Sequence, residues 1–297
     1  NYITMVEALK SGPHATTPLR ICMNSSMKQP PPSGRSLNDC LMKGPSALVD
    51  LFTVTLGLRE HRFALTKDIS KFYQRVRADP VAQHTRRILW RGGDLQQEPD
   101  VYITTTVNFG DKPAGCIAIA AIRLTAQRFG EGMEEAAWFL TDRTYVDDAT
   151  AGADTRGELE RISREMEEIA ACGGFSFKTT LMTGDPDDPE APNKVLGLIW
   201  STFKDQLQVD VKVNFSGKRK GVRTGPDADL EEVEEITPDR LTKRMLWRVA
   251  QSQYDPLGLL SVYTIKFKLL MRNLTQENGK VSAWDDEVPE QVKEEFK

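Results

Sequence analysis

The chain has 297 residues, a formal net charge of −4 and a hydrophobic content of 39%, which excludes a disordered protein and indicates two or three folded subdomains. No apolar run approaches the roughly 20 residues that cross a bilayer, so we expect no membrane partner. The four cysteines are scattered without a Cys-x-x-Cys pair, which argues against a disulfide-stapled domain and indicates reduced thiols in an intracellular setting.

The predicted elements follow from apolar periodicity, β-branched runs and turn residues. In chain order they are a Pro-rich loop (26–35), a helix (45–57), a strand ending on Asp68 (63–68), a β-hairpin (88–91 and 101–107), a buried helix (113–129), two strands (138–140 and 143–146), an amphipathic helix (155–172), a loop (185–192), a strand (195–200), a mobile charged segment (217–235) and two helices (238–273) broken at Asp255-Pro256. This order predicts an α+β fold with a small antiparallel sheet and a helical appendix.

The charge is unevenly distributed along the chain. Residues 1–130 contain 17 Lys and Arg against 10 Asp and Glu, whereas the remainder contains 22 against 33. A basic first half is compatible with a phosphate-rich partner. Ordinary fluctuation explains these counts equally well.

Two adjacent aspartates, Asp147 and Asp148, follow a Tyr-Val dipeptide that is typical of a strand. Because neighbouring strand residues point to opposite faces, both carboxylates reach one site only if the pair lies at a turn. A third carboxylate, Asp68 at the end of another strand, would complete an all-oxygen site suited to Mg²⁺. Two such ions can activate a hydroxyl and stabilise a leaving pyrophosphate. The alternative is that the pair caps a helix or decorates a turn.

The ordered blocks of the sequence resemble the reverse transcriptase segment of Bel/Pao-type long-terminal-repeat retrotransposons over nearly the whole length. Among them are Ser36-Leu37-Asn38-Asp39-Cys40, Asp68-Ile69-Ser70-Lys71-Phe72-Tyr73, Tyr145-Val146-Asp147-Asp148, and Asp255-Pro256-Leu257-Gly258-Leu259-Leu260, accompanied by residues 88–91, 109–110, 173–175 and 195–197. Tyr-Val-Asp-Asp alone is moderately specific. Together with the other blocks, in this order, it indicates a resemblance to the Bel/Pao reverse transcriptases.

The resemblance implies a role for each matched position. Asp68, Asp147 and Asp148 would bind two Mg²⁺ ions, with Mn²⁺ as a substitute. Tyr73 would act as a steric gate against a ribose 2′-hydroxyl, its alternative being a packed core aromatic. The remaining implied roles are triphosphate binding by Arg20, close approach of the nucleotide at the Phe109-Gly110 turn, protonation of pyrophosphate by Lys178, and a primer grip at Leu196-Gly197. An exposed strand lysine explains Lys178 equally well.

The resemblance also implies a right-hand polymerase with fingers, palm and a partial helical thumb. The implied domains are fingers at 1–106, with a palm strand inserted at about 61–76, a palm at 107–204, and a linker with a helical thumb or connection-like region at 205–297. The expected activity is RNA-directed DNA synthesis from deoxynucleoside triphosphates on an RNA or DNA template–primer. Other segments of one polyprotein are expected as partners, in the cytoplasm or a retrotransposon particle.

Two departures from the family pattern leave a second hypothesis open. Asn24 stands where the family has an aspartate, and Gly115 takes the place of a proline that is displaced to Pro113. A decayed or domesticated palm fold would bind nucleic acid or a protein without synthesis. An unrelated metal-dependent hydrolase is a third, weaker interpretation.

Overall fold

The computed structural model describes residues 2–9, 19–219, 222–223, 225, 227–228, 230–276 and 283–296. The chain divides into two units, one formed by Asn1–Ala191 with Thr202–Lys204 and the other by Pro192–Ser201 with Asp205–Lys297. Within the described ranges, no helix is long and apolar enough to cross a membrane. Small antiparallel sheets and helices together make this an α+β fold.

The first unit contains eight strands and six helices among its described residues. The strands are β1 (Thr4–Leu9), β2 (Leu19–Asn24), β3 (Phe63–Ile69), β4 (Arg87–Trp90), β5 (Asp100–Ile103), β6 (Thr144–Tyr145), β7 (Asp148–Ala153) and β8 (Phe177–Met182). The helices are α1 (Leu37–Cys40), α2 (Leu51–Gly57), α3 (Pro80–Gln83), α4 (Ala114–Phe129), α5 (Glu134–Asp142) and α6 (Arg156–Cys172).

The central feature of the first unit is a four-stranded antiparallel sheet in the order β6-β7-β3-β8. Helices α5 and α6 cover one face of this sheet, because their apolar side chains pack on the alternating inward residues of β3 and β7. In α6 the buried stripe is Leu159, Ile162, Met166 and Ile169, at the spacing of one helix face. The predicted amphipathic helix is thereby confirmed, and Thr155 caps it by accepting the Glu158 amide hydrogen.

Two predicted elements of the first unit differ from the structure. Residues 138–140 were predicted as a strand and lie in α5, where Ala136, Phe139 and Leu140 share one buried face and two glutamates occupy the first turn. The helix predicted from residue 45 begins only at Leu51, because Asp50 caps the helix by accepting the Thr53 amide hydrogen. The hairpin and the buried helix are confirmed as β4–β5 and α4.

The second unit combines short strands with a small helical cluster. Its strands are β9 (Lys194–Val195), β10 (Leu198–Ser201), β11 (Gln206–Gln208), β12 (Lys218–Arg219) and β13 (Val222–Arg223), and its helices are α7 (Val233–Ile236), α8 (Lys243–Ser252), α9 (Ser261–Gln276) and α10 (Glu290–Phe296). The predicted strand 195–200 is a β9–β10 hairpin instead, since Leu196 and Gly197 adopt positive φ angles and reverse the chain. The two predicted C-terminal helices are confirmed as α8 and α9, separated at Asp255-Pro256.

Candidate active site

Three aspartates lie at one end of the four-stranded sheet. The antiparallel register of β3 and β7 places Asp68 opposite Asp148, and Asp147 immediately precedes β7 in the tight β6–β7 turn. Val146 in this turn has a φ of 56°, a conformation that is strained for a β-branched residue. The turn is fastened to the neighbouring strand because the Ile69 amide donates to the Asp147 carbonyl oxygen at 2.8 Å.

The electrostatics of Asp148 reflect how closely the carboxylates approach one another. Burial, together with the negative charges of Asp147 and Asp68, raises the pKa of Asp148 to about 7. A cluster of this kind is stabilised by a proton or a cation. The sequence-predicted trio is therefore brought together in space.

The donor set of this trio fits a hard divalent cation, since it offers only carboxylate oxygens on two adjoining strands. Among the described residues, however, no group of three or more His, Cys, Asp or Glu side chains is already arranged to hold a metal ion. The chemistry of the residues fits Mg²⁺, and their side chains would have to converge around it.

Tyr73 lies beside this cluster in a single 3₁₀ turn, Tyr73–Arg75, that follows β3. Burial raises the pKa of the Tyr73 phenol, and the charge of Asp147 contributes to the same effect. The Tyr73 ring meets the ring of Phe109 edge-on, with centroids 4.7 Å apart, and that of Phe72 at 5.6 Å. Tyr73 is thus half-buried, in aromatic contact, and close to a predicted metal ligand.

The Phe109-Gly110 turn is held by close backbone packing. Gly110 has a φ of 95°, and a Cβ atom placed on it would lie 2.4 Å from the Met23 carbonyl oxygen, so glycine is required there. The Asn38 side chain donates to the Gly110 carbonyl oxygen at 2.8 Å and accepts from the Lys112 amide at 2.8 Å. The turn is therefore hydrogen-bonded to α1 and packs closely against the strand that carries Met23.

Sequence reasoning missed a buried ion pair next to this turn. Arg86 and Asp111 form a salt bridge at 2.6 Å, with side chains only 4% and 0% exposed. An Arg and an Asp 25 positions apart carry no periodic signal, so only the fold could pair them.

The other predicted site residues lie in different surroundings. Lys178 is exposed on β8, at the bulge opposite Asp68 and Ile69. Leu196 and Gly197 form the β9–β10 turn of the second unit, and a Cβ atom on Gly197 would lie 2.2 Å from the Tyr254 ring. The backbone of Arg20 belongs to β2, while its side chain is outside the described part of the structure.

Comparison with known proteins finds similarity to a family model and to solved structures. Residues 242–297 match a family model described as the Pao retrotransposon-like RNaseH-like domain. This match covers well under half of the chain and concerns an RNase H-like domain rather than a polymerase. No curated protein sequence matches the chain.

Among the similar solved structures is that of the foamy viral protease-reverse transcriptase dRH in complex with double-stranded DNA. The two share 10% sequence identity and a TM-score of 0.59 over 99% of this chain. The chain spans 42% of the length of that structure. The likeness establishes a common α+β fold with small antiparallel sheets. The family model is thus similar over a C-terminal segment, and the solved structure is similar in fold.

Proposed function

We propose that the chain is the polymerase core of a retroelement reverse transcriptase, which extends a primer 3′-hydroxyl with deoxynucleotides on an RNA or DNA template. The observation that carries this proposal is the gathering of Asp68, Asp147 and Asp148 at one end of the β3–β7 pair, where Asp148 has a pKa of about 7. Carboxylates that repel each other at neutral pH are typical of a site built for cations.

In this proposal the four-stranded sheet is the palm of a right-hand polymerase, residues 1–106 supply mainly fingers, and residues 205–297 supply a linker and a helical thumb. Asp68, Asp147 and Asp148 would hold two Mg²⁺ or Mn²⁺ ions. When bound, such ions lower the pKa of the attacking hydroxyl and neutralise the leaving pyrophosphate.

The chain's own residues would select and orient the reactants. Tyr73 would pack under the sugar and exclude a 2′-hydroxyl, and the backbone at Phe109-Gly110 would approach the incoming nucleotide. Arg20 would bind its triphosphate, since a guanidinium forms two parallel hydrogen bonds to phosphate oxygens. Lys178 would donate a proton to pyrophosphate, and Leu196-Gly197 would hold the primer end.

Primer extension on poly(rA)/oligo(dT) with Mg²⁺ or Mn²⁺ tests the proposal. We expect extension by the wild-type chain, loss of at least about 100-fold with Asp147→Asn because removal of one charge-stabilising group costs this order of rate, and no change with Asp100→Asn. Asp100 is a matched control because it is an exposed aspartate on β5. A chain that binds template–primer and extends nothing would be a binding module rather than a polymerase.

The family-model match favours a second candidate function, RNase H-type hydrolysis. Within residues 242–276 and 283–296 the structure contains α8, α9 and α10 and no strand longer than a single bridge. Degradation of the RNA strand in an RNA–DNA hybrid by the intact chain, unaffected by Asp147→Asn, would support this second function.

A further inference from the structure

We propose that the buried Arg86–Asp111 ion pair is a positioning device for deoxynucleotide selection, acting through the ring of Phe109 on Tyr73. This inference rests on the proposed polymerase function and extends it. Arg86 and Asp111 would act as positioning residues, and the partly exposed Phe109 ring would connect them to the gate.

Both side chains of the ion pair are buried and hydrogen-bonded to protein groups. Arg86 Nε donates to Asp111 Oδ2 at 2.6 Å, the Ser25 hydroxyl donates to Asp111 Oδ1 at 2.6 Å, and a terminal nitrogen of Arg86 donates to the Ala82 carbonyl oxygen at 3.0 Å. Both carboxylate oxygens of Asp111 are therefore engaged. Burying such a pair is costly in free energy and does not necessarily raise stability over an apolar replacement, so a role in fixing geometry accounts better for its presence.

The partners of the ion pair come from three separate segments. Ser25 follows β2, Arg86 precedes β4, and Asp111 lies in the turn immediately after Gly110. The same turn is held on its other side by the two hydrogen bonds of Asn38. Because hydrogen bonds hold the turn on both sides, the backbone of Phe109 has little conformational freedom. The position of the Phe109 Cα–Cβ bond, from which the ring extends, is therefore restrained.

Phe109 transmits this restraint to the gate. Its ring is 42% exposed and meets Tyr73 edge-on at 4.7 Å, while Phe72 contacts the Tyr73 ring at 5.6 Å. Tyr73 therefore has aromatic neighbours that oppose rotation of its ring. A steric gate discriminates between deoxyribonucleotides and ribonucleotides only if its side chain does not move when a ribose 2′-hydroxyl contacts it. We expect the gate to yield more readily when the Phe109 contact is lost.

The expected effect is a change in selectivity rather than in overall rate. An edge-to-face aromatic contact contributes about 0.5–1.5 kcal/mol, which corresponds to a two- to tenfold change in a rate ratio. Loss of the Phe109 ring should lower the ratio of kcat/KM for dTTP over UTP by about this factor. A residue with only a structural role would reduce both rates together and leave their ratio unchanged.

The test measures kcat/KM for dTTP and UTP on poly(rA)/oligo(dT) with Phe109→Leu and Asp111→Asn. Phe129→Leu is the matched control, because Phe129 is equally exposed at 42% and lies at the end of α4. We expect both test variants to lower the dTTP/UTP ratio and the control to leave it at the wild-type value. In a Tyr73→Ala background, Phe109→Leu should change the ratio no further, since the gate it supports is gone.

Four results would count against this inference in different ways. A ratio equal to that of the wild type in Phe109→Leu overturns it while leaving the polymerase proposal intact. Additive effects of Phe109→Leu and Tyr73→Ala also overturn it, because the ring would then act independently of the gate. A wild-type chain that incorporates neither nucleotide removes the polymerase proposal and this inference together. Should Asp111→Asn fail to fold, Ser25→Ala is the second variant that tests the ion pair, because it removes the hydrogen bond to Asp111 Oδ1. A wild-type ratio in the folded variant of the pair overturns the role of the pair.

Discussion

Replacing Asp148 with asparagine should stabilise the metal-free protein at alkaline pH and have little effect in acid. Asp148 is partly buried near Asp147 and Asp68, and the pKa of its carboxyl is raised from 3.8 to about 7. Above that pH the folded chain must hold three neighbouring negative charges. Asparagine keeps the size of the side chain and carries no charge, so the repulsion disappears.

The sign and size of the effect follow from linkage. Because the folded-state pKa exceeds the unfolded value, the folded state binds more protons between pH 3.8 and about 7. The associated stability is fully present below pH 3.8 and is lost as the pH rises through about 7. At 1.36 kcal/mol per pKa unit the full loss is on the order of 4 kcal/mol. Since the side chain is partly exposed, we expect roughly half, about 2 kcal/mol.

Urea unfolding in EDTA-containing buffer at a series of pH values between 4 and 8.5 measures this difference directly. The free energy of unfolding of Asp148→Asn minus that of the wild type should rise from near zero at pH 4 to about 2 kcal/mol at pH 8. Asp100→Asn, an exposed strand aspartate, is the control and should show no such rise. A difference that is constant across the whole pH range would refute the electrostatic reasoning.

Three further substitutions test residues that surround the site, all measured by urea unfolding followed by circular dichroism. Gly110→Ala should lower the free energy of unfolding by at least about 1–3 kcal/mol, because Cβ would meet the Met23 carbonyl oxygen in a left-handed conformation; unchanged stability would mean that the turn is not held as described. Lys67 has a fully buried side chain, its ammonium paired with Glu167 and Thr180, and burial lowers its pKa. Lys67→Met should be within about 1 kcal/mol of the wild type or more stable, whereas Glu167→Gln should be less stable by about 1–3 kcal/mol, since it leaves a buried charge poorly paired. The reverse order of these two variants would contradict this account.

Much of the fold was predictable because several elements have strong local signals. Helix α6 combines a complete buried stripe with a capping threonine and a following Gly173-Gly174 pair, and the β4–β5 hairpin is marked by Gly92-Gly93 between β-branched runs. Residues 138–140 were assigned wrongly because three consecutive large apolar residues are compatible with either a strand or a helix. The helical spacing of Ala136, Phe139 and Leu140 emerges only when the whole of α5 is considered.

The aspartates of the candidate site were predictable from the sequence, but the contacts that hold the surrounding turns in place were not. Asp68 and Asp148 were chosen from motifs, and their cross-strand pairing follows once β3 and β7 are antiparallel neighbours. The bond between Arg86 and Asp111, and the strained φ of Val146, depend on how distant segments meet. No spacing rule in the sequence encodes such contacts, because they arise from tertiary packing rather than from a helical or strand repeat.

The order of strands in the central sheet has a consequence for how this protein is made. Strand β3 lies between β7 and β8, so Leu65 pairs with Ala151 on one side and with Met182 on the other. A nascent chain that has emerged only as far as α4 presents β3 with both edges unpaired, and such edges are prone to intermolecular pairing. Sheet formation must wait for residues more than 80 positions downstream, which favours slow folding. Synthesis through Met182 is thus the earliest point at which the three aspartates can be assembled on a complete sheet.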